Sequence, residues 1–308
     1  MRLAFSSAGA VRRIILIAVA IVVPITFTGC GSAAFSNPAA SKAPTVSMLG
    51  QTPSVPTQTP SVPTQTPSVP TQTPSVPSQI PSVPSQTPSV PPILLFNGTG
   101  TLAADVSAWE TILANLKLSY ATANSREMNS MTETTLKTYK LLIVPGGNSA
   151  TIGNNLSKTA TSNIHNAVQA GLHYLGICAG GFFGGYSIYN GLDLTSGVWF
   201  NVYHNGGKGT GITAVQISYS NNTQLDQLWE YGPEFAGWGS IAGKYPDGTP
   251  AVAEGKSGSG WVILCGFHPE APASWRGGLK FTTSAAVDNA YAGTLVTAAL
   301  NGTSLPHF

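Results

Sequence analysis

Between Pro53 and Pro92 the chain repeats Pro-Ser-Val-Pro-Thr-Gln-Thr with small variations, restarting at Pro53, Pro60, Pro67, Pro74, Pro81 and Pro88. Each repeat carries two prolines, and every proline removes an amide donor and fixes its φ, so neither a helix nor a sheet ladder can run through the segment. The spacing of seven is therefore no coiled coil. The expected state is extended polyproline II without a core, and some forty residues at about 3.1 Å each reach on the order of 120 Å. Such a segment is a stalk, although its prolines could also serve as ligands for a partner domain. It confines folding to the region from Ile93 to about Gly302. That leaves roughly 210 residues, enough for one domain with a substantial core.

The residues before the stalk read as an address. Arg2, Arg12 and Arg13 form a basic start, Ile14 to Ile25 is apolar but too short to span a bilayer comfortably, and Phe27-Thr28-Gly29-Cys30 closes the segment. This ending resembles the lipobox of bacterial lipoproteins, whose cysteine is acylated and becomes the mature N-terminus; Phe27 departs from the usual leucine. An ordinary signal peptide or a short membrane anchor is the alternative. The expected organisation is a signal peptide over 1–29, a disordered Pro-rich stalk over 30–92 and a folded domain over 93–308. The resemblance implies lipid on Cys30, attachment to a bacterial membrane, and a domain facing the periplasm or cell exterior. Loss of Arg2, Arg12 and Arg13 takes the formal charge from +2 to −1. With only 8% charged residues and no basic cluster, the composition argues against nucleic-acid binding and against a polybasic membrane patch.

Within the folded part, short apolar strands alternate with helical patterns. Ile93-Leu94-Leu95-Phe96 reads as a strand, and Val106, Trp109, Ile112, Leu113 and Leu116 recur at helical spacing. Leu141 to Val144 reads as a second strand, Asn154 to Ala170 as a helix, and Leu172 to Ile177 as a third strand. This alternation predicts a parallel sheet covered on both faces, with active groups at the carboxyl ends of its strands. From Gly191 to Glu254 the pattern changes to antiparallel strands, with Ile212 to Tyr219 alternating apolar and polar. Val287, Tyr291, Leu295 and Ala298 place a closing helix before Asn301-Gly302.

The chemistry concentrates at two strand ends. Gly176-Ile177-Cys178-Ala179-Gly180 sets one cysteine between glycines at a strand-to-helix turn, the sequence form of a nucleophile elbow. The turn would lift the thiol out of the sheet, and the helix start behind it would favour thiolate. Some ninety residues on, the strand Trp261 to Cys265 leads into Gly266-Phe267-His268-Pro269-Glu270. A strand that delivers an imidazole and then a carboxylate can supply a base and its orienting group, so Cys178, His268 and Glu270 form a candidate triad. Taken singly, each has a plainer reading: a buried small cysteine, a structural histidine, a solvated charge. Cys178 and Cys265 could also pair in an oxidising compartment, but strand alternation points Cys265 away from His268 and into the sheet packing. Gly206 to Gly211 lacks phosphate-binding fingerprints, and His165, His173 and His204 are scattered, so no cofactor and no metal is expected.

Val144-Pro145-Gly146-Gly147, Gly176 to Gly180 and Gly266 to Glu270 together resemble class I glutamine-amidotransferase-like domains. Within that group they are most similar to the biotin-protein ligase N-terminal domain family. The resemblance spans nearly all of Ile93 to Ala273 and includes Tyr231-Gly232-Pro233-Glu234-Phe235 as a Gly/Pro-containing turn. It implies a flavodoxin-like, three-layer α/β/α sandwich with a mostly parallel sheet and an antiparallel extension. It gives Cys178 the role of nucleophile, His268 that of base and later acid, and Glu270 that of holding the imidazole. The amides of Gly147 and Ala179 would form the oxyanion hole. The sequence carries neither a synthase portion to use ammonia nor a biotin-ligase catalytic portion, so the expectation is a membrane-anchored, extracytoplasmic cysteine hydrolase. It would cleave an amide or peptide bond in a small-molecule, peptide or cell-wall substrate. The alternatives are an inactive surface-displayed binding module, for which Trp199, Tyr203, Trp229, Tyr231, Trp238, Trp261 and Trp275 offer aromatic surfaces, and a redox-sensing thiol protein.

Overall fold

The computed structural model describes residues 90–204 and 211–308. The signal segment, Cys30, the stalk up to residue 89 and most of the Gly206–Gly211 stretch lie outside the described residues. The first half of the domain runs β1 (Ile93–Phe96), α1 (Ala103–Asn115), β2 (Tyr120–Ala123), α2 (Ser125–Ser130), α3 (Glu133–Leu136), β3 (Leu141–Val144), α4 (Ser149–Asn154), α5 (Lys158–Gln169), β4 (His173–Ile177) and α6 (Ala179–Gly184). The second half runs β5 (Asn201–Val202), β6 (Thr213–Tyr219), β7 (Gln224–Trp229), β8 (Pro233–Glu234), β9 (Ser240–Lys244), β10 (Pro250–Ser257), β11 (Gly260–Cys265) and α7 (Ala285–Asn301).

Nine strands make one sheet in the order β2-β1-β3-β4-β11-β10-β9-β6-β7. The five from β2 to β11 are parallel and the next four are antiparallel, while β5 and β8 form a separate two-stranded ribbon. β1 and β3 are buried along their whole length because helices cover both faces. The period of two sorts their side chains into two cores. Ile93, Leu95, Leu141, Ile143, Leu175, Ile177, Ile263 and Cys265 pack with α1 and α7, which contribute Trp109, Leu113, Leu295 and Val296. Leu94, Phe96, Leu142, Val144, Tyr174, Val262 and Leu264 pack with α2 to α6, which contribute Met128, Leu136, Ile152, Ile164 and Phe183. The result is the expected flavodoxin-like α/β/α sandwich with an antiparallel extension.

One expected element differs. The helix predicted over Asn154–Ala170 begins later, as α5 at Lys158, because Ser157 accepts from Ala160 N as its N-cap, while Asn154 closes a separate helix, α4, where Asn155 bonds back to the Thr151 carbonyl. Short polar side chains that compete for backbone groups start and stop helices in this way. The extension also does more than widen the sheet. Its last strand curls back, so that His268 N donates to Leu228 O at 2.8 Å, tying β7 to the segment after β11.

Candidate functional site

The parallel strands put their carboxyl ends at one edge, and three loops meet there: Pro145-Gly146-Gly147 after β3, Cys178 after β4, and Gly266 to Glu270 after β11. Cys178 adopts φ 49°, ψ −104°, a conformation costly for any residue with a Cβ, as the N-cap of α6. The turn is this tight because α6 starts directly over β3. A Cβ on Gly180 would sit 1.9 Å from Val144 O, so only glycine allows the helix to pack there. The sharp elbow is thus present as read from the sequence. With six residues α6 is too short to supply much of a dipole.

His268 is 4% exposed, Glu270 2% and Cys178 6%, so the group is nearly sealed from bulk water. His268 Nδ1 donates to Glu270 Oε1 at 3.0 Å, which leaves the lone pair of the neutral ring on the other nitrogen, Nε2. Burial alone would lower the imidazole's affinity for its proton. The charges of Cys178, Asp105 and Glu270 outweigh it, so His268 is held well above its ordinary value of 6.5. For Glu270, burial raises the carboxyl above its usual range, His268 opposes the shift, and Asp105 adds to it. Cys178 Sγ also lies 3.6 Å from the carbonyl of Glu230, in the turn after β7.

The Pro-Gly-Gly turn is fixed by an isolated bridge between Thr101 and Gly147, made by Leu102 N to Gly146 O at 3.1 Å and Asn148 N to Gly100 O at 2.8 Å. In such a bridge the central pair does not exchange hydrogen bonds. The Gly147 amide consequently has no backbone partner among the described residues, and neither does the Ala179 amide. Gly147 has φ +143°, and a Cβ there would fall 2.0 Å from Gly100 O, so the close approach of the two loops requires glycine.

Cys265 ends β11 with its side chain fully buried and its Sγ donating to Phe267 O at 3.5 Å. Both it and Cys178 are free cysteines. Of the aromatic residues considered for a binding surface, Tyr203 and Trp229 are buried in packing at 2% and 1% exposure, whereas Trp199 and Tyr231 are open to solvent. Tyr231 stands beside Glu230 at the mouth of the site with a strained φ of +50°. Trp275 packs edge-on to His268, centroids 6.4 Å apart.

Sequence reasoning missed Asp105. It lies in the first turn of α1, 2% exposed, with Oδ1 2.9 Å from His268 Nδ1. A lone aspartate at a helix start ordinarily reads as a charge placed for the dipole, and no spacing links it to a histidine more than 160 residues away. Asp105, His268 and Glu270 offer ligand atoms all within 4.8 Å of one another, a compactness that a cation could use. The Nδ1 proton accounts for the contact with Glu270 and the ring's positive charge for that with Asp105, so the group reads as an ion-paired cluster.

Three-layer topology, elbow and His-Pro-Glu ending are the features in which this domain is similar to class I glutamine-amidotransferase-like domains. Within it, residues 92–198 match the family described as "Biotin-protein ligase, N terminal", a stretch that includes the Pro-Gly-Gly turn and the Cys178 elbow and stops before His268. No curated protein is matched. Among solved structures, a glutamine amidotransferase is 19% identical over 58% of this chain and 90% of its own, with a TM-score of 0.46. A protein from Thermoplasma acidophilum described as part of a GMP synthase is 10% identical over 69% of this chain and 96% of its own, TM-score 0.45. A β-galactosidase from Bacillus circulans is 12% identical over 70% of this chain but only 31% of its own, TM-score 0.42.

Proposed function

We propose that the domain is a cysteine hydrolase that cleaves an amide or peptide bond by an acyl-enzyme route, with Cys178 as nucleophile, His268 as acid and base, and Glu270 as the group that orients the ring. The observation that carries this reading is the cysteine at φ 49° on a strand-to-helix turn beside an imidazole whose Nδ1 is committed to carboxylates. The Cys178 thiolate attacks the carbonyl carbon, and the C=O electron pair moves to oxygen, where the amides of Gly147 and Ala179 receive it. Collapse of that intermediate breaks the C–N bond as His268 passes its proton to the departing amine. Water then attacks the thioester while His268 takes a proton from it. The C–S bond breaks, and acid and free thiolate result.

The N-terminal features support a lipid-anchored, extracytoplasmic protein in which Cys30 is acylated and the Pro-rich segment holds the domain away from the membrane. No helix among the described residues is long and apolar enough to cross one. The near-sealed thiol favours a substrate that presents a slender acyl group.

The test is acetylation by p-nitrophenyl acetate followed by peptide mass spectrometry. A burst of p-nitrophenolate with acetyl on Cys178, absent in Cys178→Ala and slowed at least about a hundredfold in His268→Ala, is expected. A folded protein that binds a ligand equally well with and without Cys178 and never accepts an acyl group would be a binding module instead.

A further inference from the structure

Two carboxylates from distant parts of the chain converge on one ring nitrogen of His268, and only Glu270 has a place in the proposed hydrolysis. We propose that Asp105 is a second positioning residue of this site, clamping the His268 ring jointly with Glu270. Its purpose rests on the hydrolase reading, but its existence can be tested without any turnover.

The contact is short. Asp105 Oδ1 is 2.9 Å from Nδ1, yet the N–H points along the line to Glu270 Oε1, so Asp105 contributes as a charge held against the ring and not as a linear acceptor. That oxygen is buried and has no other hydrogen bond. The ordinary task of a carboxylate at this helix position is to reach back to the N-cap amide. Here the N-cap amide, Leu102 N, is already taken by Gly146 O, and α1 has no side-chain cap. Asp105 is therefore not a capping residue, and its buried charge is answered by the imidazole.

The Pro-Gly-Gly turn is shaped around this pair. A Cβ on Gly146 would come 2.3 Å from Asp105 Oδ1 and 2.5 Å from His268 Cε1. Alanine there would have to displace one member of the clamp. The turn that presents the Gly147 amide and the helix that carries Asp105 thus close on the imidazole together.

The sign of the effect is set by the charges around the ring: Cys178 from the turn after β4, Asp105 from α1 and Glu270 from the loop after β11. Each negative charge among them favours imidazolium over imidazole. Taking one away lets the proton leave at lower pH. Asp105→Asn keeps the volume and removes the charge.

His268 in the full chain can be followed by NMR of its ring nitrogens across a pH titration. Asp105→Asn is expected to lower the midpoint by about one pH unit. Glu270→Gln should move it in the same direction, and the double variant further. Should the asparagine variant fail to fold, the unsubstituted protein still answers, because the Asp105 carboxyl carbon should change its shift at the pH where His268 titrates. A midpoint unmoved by Asp105→Asn, or a carboxyl carbon flat through the His268 transition, overturns the clamp. So does a His268 midpoint that moves on adding EDTA, since the three groups would then be holding a cation. A clamp that passes these tests in a protein that never accepts an acyl group would sink the hydrolase reading and leave the clamp standing.

Discussion

β4 and β11 lie side by side and parallel, Ile177 opposite Cys265, and Cys178 N donates to Cys265 O at 2.8 Å. Each strand end carries a free cysteine, and the two are set to opposite ends. At Cys178 the backbone leaves the sheet through a positive φ and enters α6, with Sγ 3.6 Å from Glu230 O. Cys265 is the last residue of its strand and still follows its alternation, so period two buries the side chain in the core shared with α1 and α7, where desolvation raises the thiol well above its ordinary value. Backbone direction, more than residue type or neighbourhood along the sheet, is what distinguishes the two thiols.

The largest effect that could break this contrast is a rate. In the native protein at neutral pH, iodoacetamide should modify Cys178 roughly a hundredfold or more faster than Cys265, and denaturant should bring the two together. Peptide mapping of a time course reads both rates in one sample. Equal native rates would mean that the elbow gives its thiol no advantage.

A smaller effect sharpens the same contrast through stability. Cys178 pays for its conformation, and glycine does not, so Cys178→Gly should be more stable than Cys178→Ala by about 1 kcal/mol. At Cys265, inside a strand, the order should reverse, with Cys265→Gly less stable than Cys265→Ala by about 0.5–1 kcal/mol. Urea melts of the four variants give both differences. The same sign at both positions would show that the strain at Cys178 has no energetic weight.

The sequence carried much of this and failed at identifiable places. The strands β1, β3, β4 and β11 were legible because continuous apolar runs of four to six residues bounded by glycine and proline have few other homes. The elbow and the His-Pro-Glu ending were legible because their residues are adjacent in sequence. Asp105 was not, since it meets His268 only through the packing of α1 onto the sheet, and a charge in a first helical turn looks the same whether it faces in or out. The start of α5 at Lys158 was missed because Asn155 and Ser157 mark a boundary only through the backbone groups they bond, which the residue types leave open. The curl that bonds β7 to His268 depends on how far an antiparallel extension twists, which the alternation of residues does not encode.

The smallest effect is a pH dependence. Cys265 in the fold holds its proton well above the ordinary value of 9.0. A raised pKa contributes stability that is whole below the unfolded value and is lost as pH climbs towards the folded one, because only the unfolded chain can then release the proton. From about pH 9 to about 9.5 this group alone should remove about half a kcal/mol. Cys265→Ala leaves a small cavity and so starts lower, but its stability should fall less steeply over that window. The buried tyrosines Tyr174, Tyr219, Tyr245 and Tyr291 are likewise raised from 10.0, so the measurement belongs below pH 10, before they join. His268, raised from 6.5, makes its own loss in a window that opens nearer neutrality and is common to both proteins. Denaturant melts of the two at about pH 9.0 and about pH 9.5 isolate the thiol. Parallel declines would mean that Cys265 meets water in the native state, and the contrast between the two strand ends would lose its second half.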